Sequence, residues 1–310
     1  MNVVEYGRMV PQIALSQQGP RVSRIVHGLW RLAEWDKSKR EIVELIHSCL
    51  ACGITTFDHA DIYGDYTCEG LFGSALAEAR IERSGIQLVT KCGIKLVSKS
   101  RPHHRIKCYD TSRSHIVASV ENSLRCLRTD HIDLLLIHRP NPLIDPREVN
   151  EAFVELKESG KVRHFGVSNF LPLQFELLAS KLDVPLVTNQ IEYSVMNPGA
   201  HADGSIDLCQ KLDVRPMAWS PLGGGGLFRE DSERARCLRE TLRSVGQELG
   251  GASMDQVAIA WVLKHPVQFV PVLGTGDAAR IKSAVAALDI KMTSEQWFEI
   301  RRASLGQDVP

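Results

Sequence analysis

Short apolar runs alternate with longer amphipathic stretches along this chain from about residue 25 onward. The short runs are rich in β-branched and other apolar residues, whereas in the long stretches apolar side chains recur at helical spacing. This alternation is typical of repeated βα units around a parallel sheet. The short runs predict eight strands, at residues 25–28, 55–58, 88–91, 132–138, 163–168, 186–190, 214–220 and 269–273.

Helical patterns occupy the intervals between the predicted strands. They lie at residues 38–52, 68–79, 114–127, 146–159, 171–181, 204–211, 231–249, 255–264 and 277–287. Eight strands with interleaved helices and no linker predict one closed (β/α)8 barrel, a TIM barrel, as a single domain over residues 1–310. A doubly wound sheet is the alternative, but it usually carries a Gly-rich turn after its first strand, where this chain has HGLWRL.

Two further segments lie outside the eight units. Two short apolar runs flank QQGPR ahead of residue 25, and they predict an N-terminal hairpin that covers the bottom of the barrel. Residues 293–302 predict an extra terminal helix.

The composition and the absence of certain sequence signals indicate what kind of partner the protein binds and in which compartment it is found. Lys plus Arg equals Asp plus Glu at 37 each, so no strong field directs the protein to nucleic acid or a membrane surface, and a small-molecule partner is expected. The first residues lack a secretory signal, no segment is apolar over a bilayer-spanning length, and a cytoplasmic protein is expected. The eight cysteines are therefore expected to be reduced, and Cys49 and Cys52, despite their redox-motif spacing, are interpreted as thiols on the buried face of a helix.

Four polar residues follow or end apolar runs where a barrel of this kind carries its active site. Asp58, Lys91 and His138 end predicted strands, and Tyr63 lies in the loop DHADIYGDY. A buried lysine beside an aspartate keeps its charge and lowers the pKa of a neighbouring phenol, and a histidine can position a substrate oxygen. Each residue also has a structural interpretation, as an ion pair, a loop aromatic or a core histidine. Their joint placement favours proton donation to a carbonyl.

Several long motifs resemble those of the aldo-keto reductase superfamily. They are DHADIYG, LVTK, YDTSRSHIVASVENSLRCLRTDHIDLLLIHRP and GKVRHFGVSNF, and the similarity runs from about residue 28 to residue 288. Within the superfamily the chain looks most like the bacterial oxidoreductases of the YdhF type, which end in a tail similar to SLGQDVP. The resemblance implies NADPH-dependent reduction of aldehydes or ketones, with Asp58, Tyr63, Lys91 and His138 as the catalytic tetrad and Tyr63 as the proton donor. It leaves open a monomer or a small homo-oligomer.

The resemblance also implies the residues that hold the nicotinamide end of NADP(H). Ser168, Asn169 and Gln190 match the positions that bind the carboxamide, and Trp219 matches the aromatic that stacks on the ring. Residues after the seventh predicted strand match the segment that wraps the pyrophosphate, where glycine permits close backbone approach. They are Ser220, Leu222 and Gly223.

The segment VLGTGDAARIKSAV resembles the binding site for the adenosine 2′-phosphate. Gly274, Thr275, Gly276 and Arg280 fall on its positions, since helix N-termini and arginine favour anions. Many family members carry Lys where this chain has Gly274, and a Glu-Asn pair where it has SA at 283–284. The choice of NADP over NAD therefore rests mainly on Arg280.

Trp30 matches an aromatic of the substrate pocket, with a cap on the barrel top as its structural alternative. The basic segment 93–108 is expected to overhang the site, either as a solvated face or as a lid that attracts an anionic substrate. No metal is predicted, because the adjacent His103 and His104 lack further ligands. Two rival functions remain: a Schiff-base aldolase using Lys91, and an NADPH-binding regulatory protein with little turnover.

Overall fold

The computed structural model describes residues 9–308. Its strands in chain order are β1 (Gln12–Ala14), β2 (Arg21–Ser23), β3 (Val26–Gly28), β4 (Thr56–Asp58), β5 (Gln87–Cys92), β6 (Ile94–Lys95), β7 (Cys108–Tyr109), β8 (Ile132–Ile137), β9 (Val162–Ser168), β10 (Leu186–Glu192), β11 (Met217–Trp219) and β12 (Val270–Leu273). Its helices are α1 (Lys39–Ala51), α2 (Tyr63–Tyr66), α3 (Cys68–Ala79), α4 (Arg113–Leu127), α5 (Pro146–Glu158), α6 (Pro172–Ala179), α7 (Ser205–Lys211), α8 (Gly226–Arg229), α9 (Glu233–Glu248), α10 (Met254–Lys264), α11 (Ala278–Ala286) and α12 (Ser294–Leu305).

Eight parallel strands form a closed barrel in the order β3-β4-β5-β8-β9-β10-β11-β12. The barrel closes where β12 pairs with β3, with Val272 opposite Val26. Each barrel strand overlaps one of the eight predicted runs, and the predicted (β/α)8 barrel is confirmed. Because all strands are parallel, their C-terminal ends meet at one face of the barrel.

The barrel interior is filled by apolar side chains, and the N-terminal hairpin seals one end of it. Val26, Val89 and Leu134 point inward and are fully buried. Strands β1 and β2 pair in antiparallel register, and Leu15 and Val22 of this hairpin pack against the same interior cluster. The carbonyl of Leu15 accepts a hydrogen bond of 2.7 Å from the amide of Arg215, which precedes β11. The hairpin therefore covers the N-terminal ends of the strands, as predicted.

The outer helices follow the predicted start signals. Ser38 caps α1 by accepting a hydrogen bond from the amide of Glu41, whose carboxylate accepts one from the amide of Ser38 in return.

The two cysteines with redox-motif spacing lie at the end of α1. The Cys49 thiol is free and buried, and burial raises its pKa. Cys52, also free, is half-buried, so both cysteines are packing residues here. Within residues 9–308, no helix combines the length and the apolar character needed to cross a bilayer.

Candidate active site

The four residues predicted as a tetrad lie together at the C-terminal face of the barrel. Asp58 ends β4, Lys91 lies near the end of β5, and His138 directly follows β8. Tyr63 begins α2, in the loop that follows β4. The side chains of Asp58 and Lys91 are almost fully buried. The barrel thus gathers at one face side chains that the sequence separates by up to 80 residues.

Lys91 is the centre of this group. Its Nζ donates hydrogen bonds to Asp58 Oδ2 at 2.7 Å, to the carbonyl oxygen of His59 at 2.7 Å and to Tyr63 Oη at 3.1 Å. Burial alone would lower the pKa of Lys91, but the charge of Asp58 and the contact with Tyr63 raise it above its usual value. The ammonium therefore stays charged, and its three protons point at three oxygens.

Gln190 reaches the same carboxylate from the far side of the barrel. Its Nε2 donates to Asp58 Oδ1 at 2.8 Å, so each oxygen of Asp58 has a hydrogen-bond partner. The sequence assigns Gln190 to the cofactor carboxamide, and the structure places it against Asp58 as well. Its amide nitrogen is engaged by Asp58, which leaves the amide oxygen as the remaining polar atom of the side chain.

Tyr63 lies between Trp30 and His138. Its ring centroid is 6.4 Å from that of Trp30 and 5.8 Å from that of His138, the latter in an edge-to-face arrangement. Burial raises the pKa of Tyr63 and outweighs the charge of Lys91, which lowers it; Asp58 raises it further. The expected lowering by Lys91 is therefore present but does not decide the net direction. The phenol is protonated near neutral pH, which is the state that donates a proton.

His138 is partly buried and held by its backbone. Its amide donates to the carbonyl oxygen of Cys92 at 2.8 Å, and its Nδ1 has no hydrogen-bond partner among residues 9–308. Burial lowers the pKa of His138 well below its usual value, and the charges of Lys91, Arg139 and Lys107 act in the same direction. A neutral imidazole is thus available to hydrogen-bond a polar ligand atom beside Tyr63.

The residues predicted for the nicotinamide form one hydrogen-bonded network. Ser168 Oγ donates to the carbonyl of Gln190 at 2.8 Å, and Asn169 Nδ2 donates to Ser168 Oγ at 2.8 Å. Asn169 Oδ1 accepts from Trp219 Nε1 at 3.0 Å. Asn169 has a φ of 62°, which asparagine tolerates better than most residues and which turns its side chain across the barrel top. The four residues are brought together as the sequence predicts.

The segment after β11 adopts a backbone that glycine favours. Gly223 has a φ of +60°, and a Cβ built on it would lie 2.8 Å from Met196 Cγ. Ser220 also has a positive φ, of 50°, and Leu222 is half-buried. Both the dihedral angle and the close approach exclude a side chain at Gly223, and the result is an open backbone loop beside Trp219.

Sequence reasoning missed Arg31, which spans the top of this loop. Its Nη2 donates to the carbonyl oxygen of Gly224 at 2.9 Å, and its guanidinium lies 5.3 Å from the ring centroid of Trp30. The signal was visible in GLWRL, where a cation follows the predicted pocket aromatic. Arg31 places positive charge next to the glycine loop.

The segment after β12 carries backbone amides without partners. Within the described chain, the amides of Thr275 and Gly276 donate no hydrogen bond, and they lie at the N-terminal end of α11. Arg280 is largely exposed, and its Nε is 3.8 Å from Asp277 Oδ2. Gly274 has open space where a side chain would be. The free amides fit an anion, whereas Arg280 is directed toward its own helix cap.

Lys37 was also missed, because it precedes α1 and is far from this segment in sequence. A Cβ built on Gly276 would lie 3.0 Å from Lys37 Cε and 2.8 Å from Trp35 Cδ2. Both side chains therefore pack directly over Gly276. Within residues 9–308, Lys37 forms no ion pair with a carboxylate. It places a positive charge beside Gly276.

The opening above Tyr63 is aromatic and basic. Trp30 is about half exposed at 51% of its surface. The guanidinium of Arg139 lies 5.8 Å from the ring centroid of Trp219. The basic segment 93–108 forms the short β6–β7 pair and the turn between them. In the described residues, no three His, Cys, Asp or Glu side chains converge in the manner of a metal site.

Comparison with known proteins identifies the family. A model of the aldo/keto reductase family matches residues 24–304. The oxidoreductase YdhF of Escherichia coli is 51% identical over 302 residues, which cover 97% of this chain and all of YdhF. A 6-dehydroglucose reductase of Agrobacterium fabrum is 46% identical over 96% of this chain and 99% of its own length. The resemblance to YdhF-type oxidoreductases is thereby confirmed.

A solved structure shares the fold as well as the sequence family. The thermostable aldo-keto reductase Tm1743, crystallised with the inhibitor epalrestat, superimposes with a TM-score of 0.80 at 28% identity. The match covers 94% of this chain and 99% of that one. From its sequence, its closed barrel and the side chains gathered at the barrel's C-terminal face, the chain belongs to the aldo/keto reductase family.

Proposed function

We propose that this protein is an NADPH-dependent oxidoreductase that reduces aldehyde or ketone carbonyls to alcohols. The observation that carries the proposal is the contact of Lys91 with both Asp58 and Tyr63, beside the imidazole ring of His138, whose centroid is 5.8 Å from that of Tyr63. A protonated phenol, a fixed ammonium and a neutral imidazole together suit a carbonyl oxygen that gains negative charge. The whole chain would act as one barrel domain in the cytoplasm, as a monomer or a small homo-oligomer.

The proton chemistry follows from the contacts around Tyr63. Tyr63 Oη donates its proton to the carbonyl oxygen, and Lys91 stabilises the tyrosinate that remains because its ammonium lies 3.1 Å away. His138 donates an N–H to the same carbonyl oxygen and fixes its position. Asp58 holds Lys91 in place and balances its charge in a buried site. The reduced nicotinamide, when bound, supplies the hydride that the carbonyl carbon receives.

Residues at strand ends and in the loops that follow them would hold NADP(H). Ser168, Asn169 and the amide oxygen of Gln190 would bind the carboxamide, and Trp219 would stack on the nicotinamide ring. The backbone at Ser220, Leu222 and Gly223 would follow the pyrophosphate. Gly274, Thr275, Gly276 and Arg280 would receive the 2′-phosphate, with Lys37 as an additional cation. The free amides of Thr275 and Gly276 support this assignment.

Trp30 would form a wall of the substrate pocket, since its exposed ring lies beside Tyr63. One relative bears the name 6-dehydroglucose reductase, and this sugar aldehyde is accordingly the first substrate to test. The positive charges of Arg139 and Lys107, which both lower the pKa of His138, suit a polar substrate of this kind. Apolar aldehydes and ketones are the comparison class.

The test is consumption of NADPH, followed by its absorbance, with 6-dehydroglucose and a panel of aldehydes, ketones and quinones. The wild-type protein should consume NADPH with a carbonyl substrate and form the alcohol, and NADH should serve less well. NADPH binding without turnover on any substrate would instead favour a regulatory role. Trapping of a substrate on Lys91 by borohydride would favour the aldolase chemistry. Either result would replace the proposal.

A further inference from the structure

A cavity lies beside the loop that follows β4 and carries Tyr63, but outside the site around Tyr63. It has a volume of about 590 Å³ and opens between α4, the β6–β7 turn and the segment that follows β4. This volume is within the range of small-molecule pockets. Lys91, His138, Trp30 and Trp219 are not among its lining residues. The cavity is therefore separate from the proposed catalytic cleft.

Two arginines line this cavity without carboxylate partners. Arg101 stacks on the ring of Tyr66, with its guanidinium 4.7 Å from the ring centroid. Arg125 donates to Asn122 Oδ1 on its own helix. In the described part of the chain, neither arginine forms an ion pair, and the lining residue Glu121 is bound instead by Lys161. Two unneutralised guanidinium groups facing one cavity attract an anion.

A buried carboxyl group faces the same cavity from below. Asp61 is only 6% exposed, and its Oδ1 has no hydrogen-bond partner among residues 9–308. An unpaired buried oxygen is costly unless a donor reaches it. Burial raises the pKa of Asp61 well above its usual value, and nearby Glu69 adds to this effect. A ligand hydroxyl would supply the missing hydrogen bond.

We propose that this cavity binds a small hydroxylated anion, with Arg101 and Arg125 holding its carboxylate or phosphate group and Asp61 contacting a hydroxyl. The combination matters because an anion without a hydroxyl leaves Asp61 Oδ1 without a hydrogen-bond partner, and a neutral polyol leaves both arginines without an anionic partner. Sugar acids and sugar phosphates both meet these demands. The site does not depend on the proposed carbonyl reduction.

Asp61 links the cavity to Tyr63, because both residues lie in the loop that follows β4. It lies between Asp58 and Tyr63, and its amide donates to the carbonyl of Lys91 at 3.0 Å. From the other side, Tyr66 Oη accepts a hydrogen bond of 2.9 Å from the amide of Leu96 in the basic segment. A ligand held between Arg101 and Asp61 would therefore join the basic segment to the loop that carries Tyr63.

The experiment is isothermal titration calorimetry of the full-length protein with D-gluconate and with glucose 6-phosphate, which separates the carboxylate from the phosphate source. Glucose and sulfate each provide half of the recognised groups and should bind at least about tenfold more weakly than the better of the two probes. Arg101→Met and Arg125→Met should each weaken that probe by about ten- to a hundredfold. Arg105→Met is the matched control, because Arg105 lies on the same segment, is exposed and does not line the cavity.

Asp61→Ala removes the carboxyl group that would contact the ligand hydroxyl, so the better probe should bind about tenfold more weakly, whereas sulfate should bind as it does to wild type. Circular dichroism checks that each variant is folded, and the two arginine variants carry the test if the Asp61 variant is not. Absence of binding by both probes would overturn the proposal. So would equal losses in Arg105→Met and the cavity variants, or binding that Trp30→Ala abolishes while Arg101→Met and Arg125→Met preserve it.

Discussion

Lys91 Nζ lies 3.1 Å from Tyr63 Oη and 2.7 Å from Asp58 Oδ2, so one ammonium joins a phenol to a carboxylate inside the barrel. Burial and Asp58 both favour the neutral phenol, whereas Lys91 favours the tyrosinate. In the proposed reduction the phenol would therefore be protonated beforehand, and Lys91 would stabilise its anion once the proton has left. The same contact would serve both stages of the proton transfer.

Replacing Tyr63 tests the proton donor directly. Tyr63→Phe should keep NADPH binding but lower carbonyl reduction by about two to four orders of magnitude, because the ring stays while the hydroxyl is removed. Stopped-flow measurement of hydride transfer gives the rate, and fluorescence titration gives the affinity. Tyr66→Phe is the control, since its hydroxyl accepts from Leu96 and contacts none of the tetrad. A wild-type rate in Tyr63→Phe would exclude the mechanism.

Replacing Lys91 tests the electrostatic link. In alcohol oxidation Tyr63 must be deprotonated, so the rate should rise as pH rises through the pKa of the phenol. Lys91→Met should move this rise to higher pH, because the positive charge that lowers the pKa of Tyr63 is gone. At neutral pH the oxidation rate should fall by about a hundredfold or more. Lys95→Met, which removes a cation paired with Asp110 outside the tetrad, should leave the profile in place.

Lys37 and Arg280 can be compared as partners of the 2′-phosphate. Lys37→Met should weaken NADPH binding by about ten- to a hundredfold and leave NADH almost unchanged, because a charge-assisted contact is lost only with the phosphate. Arg280→Met should act in the same direction, and by less if Arg280 stays with Asp277. Tryptophan quenching by each nucleotide is the measurement.

Lys39→Met is the matched control for Lys37, since Lys39 lies nearby in sequence but pairs with Glu78 at 2.7 Å. Loss of NADPH and NADH affinity together in Lys37→Met would indicate a packing role over Gly276. Unchanged affinity for both would place the phosphate elsewhere.

Two buried histidines predict the response to acid. Neither ring nitrogen of His27 has a hydrogen-bond partner within residues 9–308, and burial lowers the pKa of His27 to about 4. The unfolded chain binds the proton near pH 6.5, so the contribution of neutral His27 is complete above that pH and is lost as pH falls toward 4. This loss amounts to about 3 kcal/mol in the free energy of unfolding.

His27→Phe should flatten that pH dependence, because phenylalanine fills a similar space among Trp35 and Phe57 without titrating. Urea unfolding at several pH values between 4 and 7 measures the free energy of unfolding. The exposed His47 provides the control as His47→Gln. An equal acid loss in wild type and His27→Phe would assign the sensitivity to other groups, such as His59, whose pKa burial lowers to about 3.

Much of the fold could be predicted because the barrel strands are apolar on both faces and the helices begin at recognisable caps. The tetrad could be placed because strand ends converge in any parallel barrel. The hydrogen bond from Gln190 to Asp58 could not, since it joins residues across the barrel interior. The packing of Lys37 over Gly276 could not be predicted for the same reason. It joins the loop after β3 to the loop after β12, and these loops meet only when the barrel closes.

The net direction of the pKa shift of Tyr63 also could not be predicted from the sequence. Its neighbours could be inferred from strand order, and their charges predict a lowering by Lys91. The depth of burial, which raises the pKa more, depends on how Trp30 and His138 pack around the ring. Electrostatics inside a site depends on solvent exclusion, which a residue pattern does not report.

The pairing of β12 with β3 has a consequence for how the chain is made. During synthesis β3 emerges early, and its partner is among the last strands to leave the ribosome. Until Val272 reaches Val26, the edges of β3 and β11 are open to other strands and other chains. Thr275 and Gly276 lie just after β12, so the phosphate site proposed for them would be completed at the moment when these edges disappear. Free NADPH would then favour the closed barrel over open forms that can still aggregate.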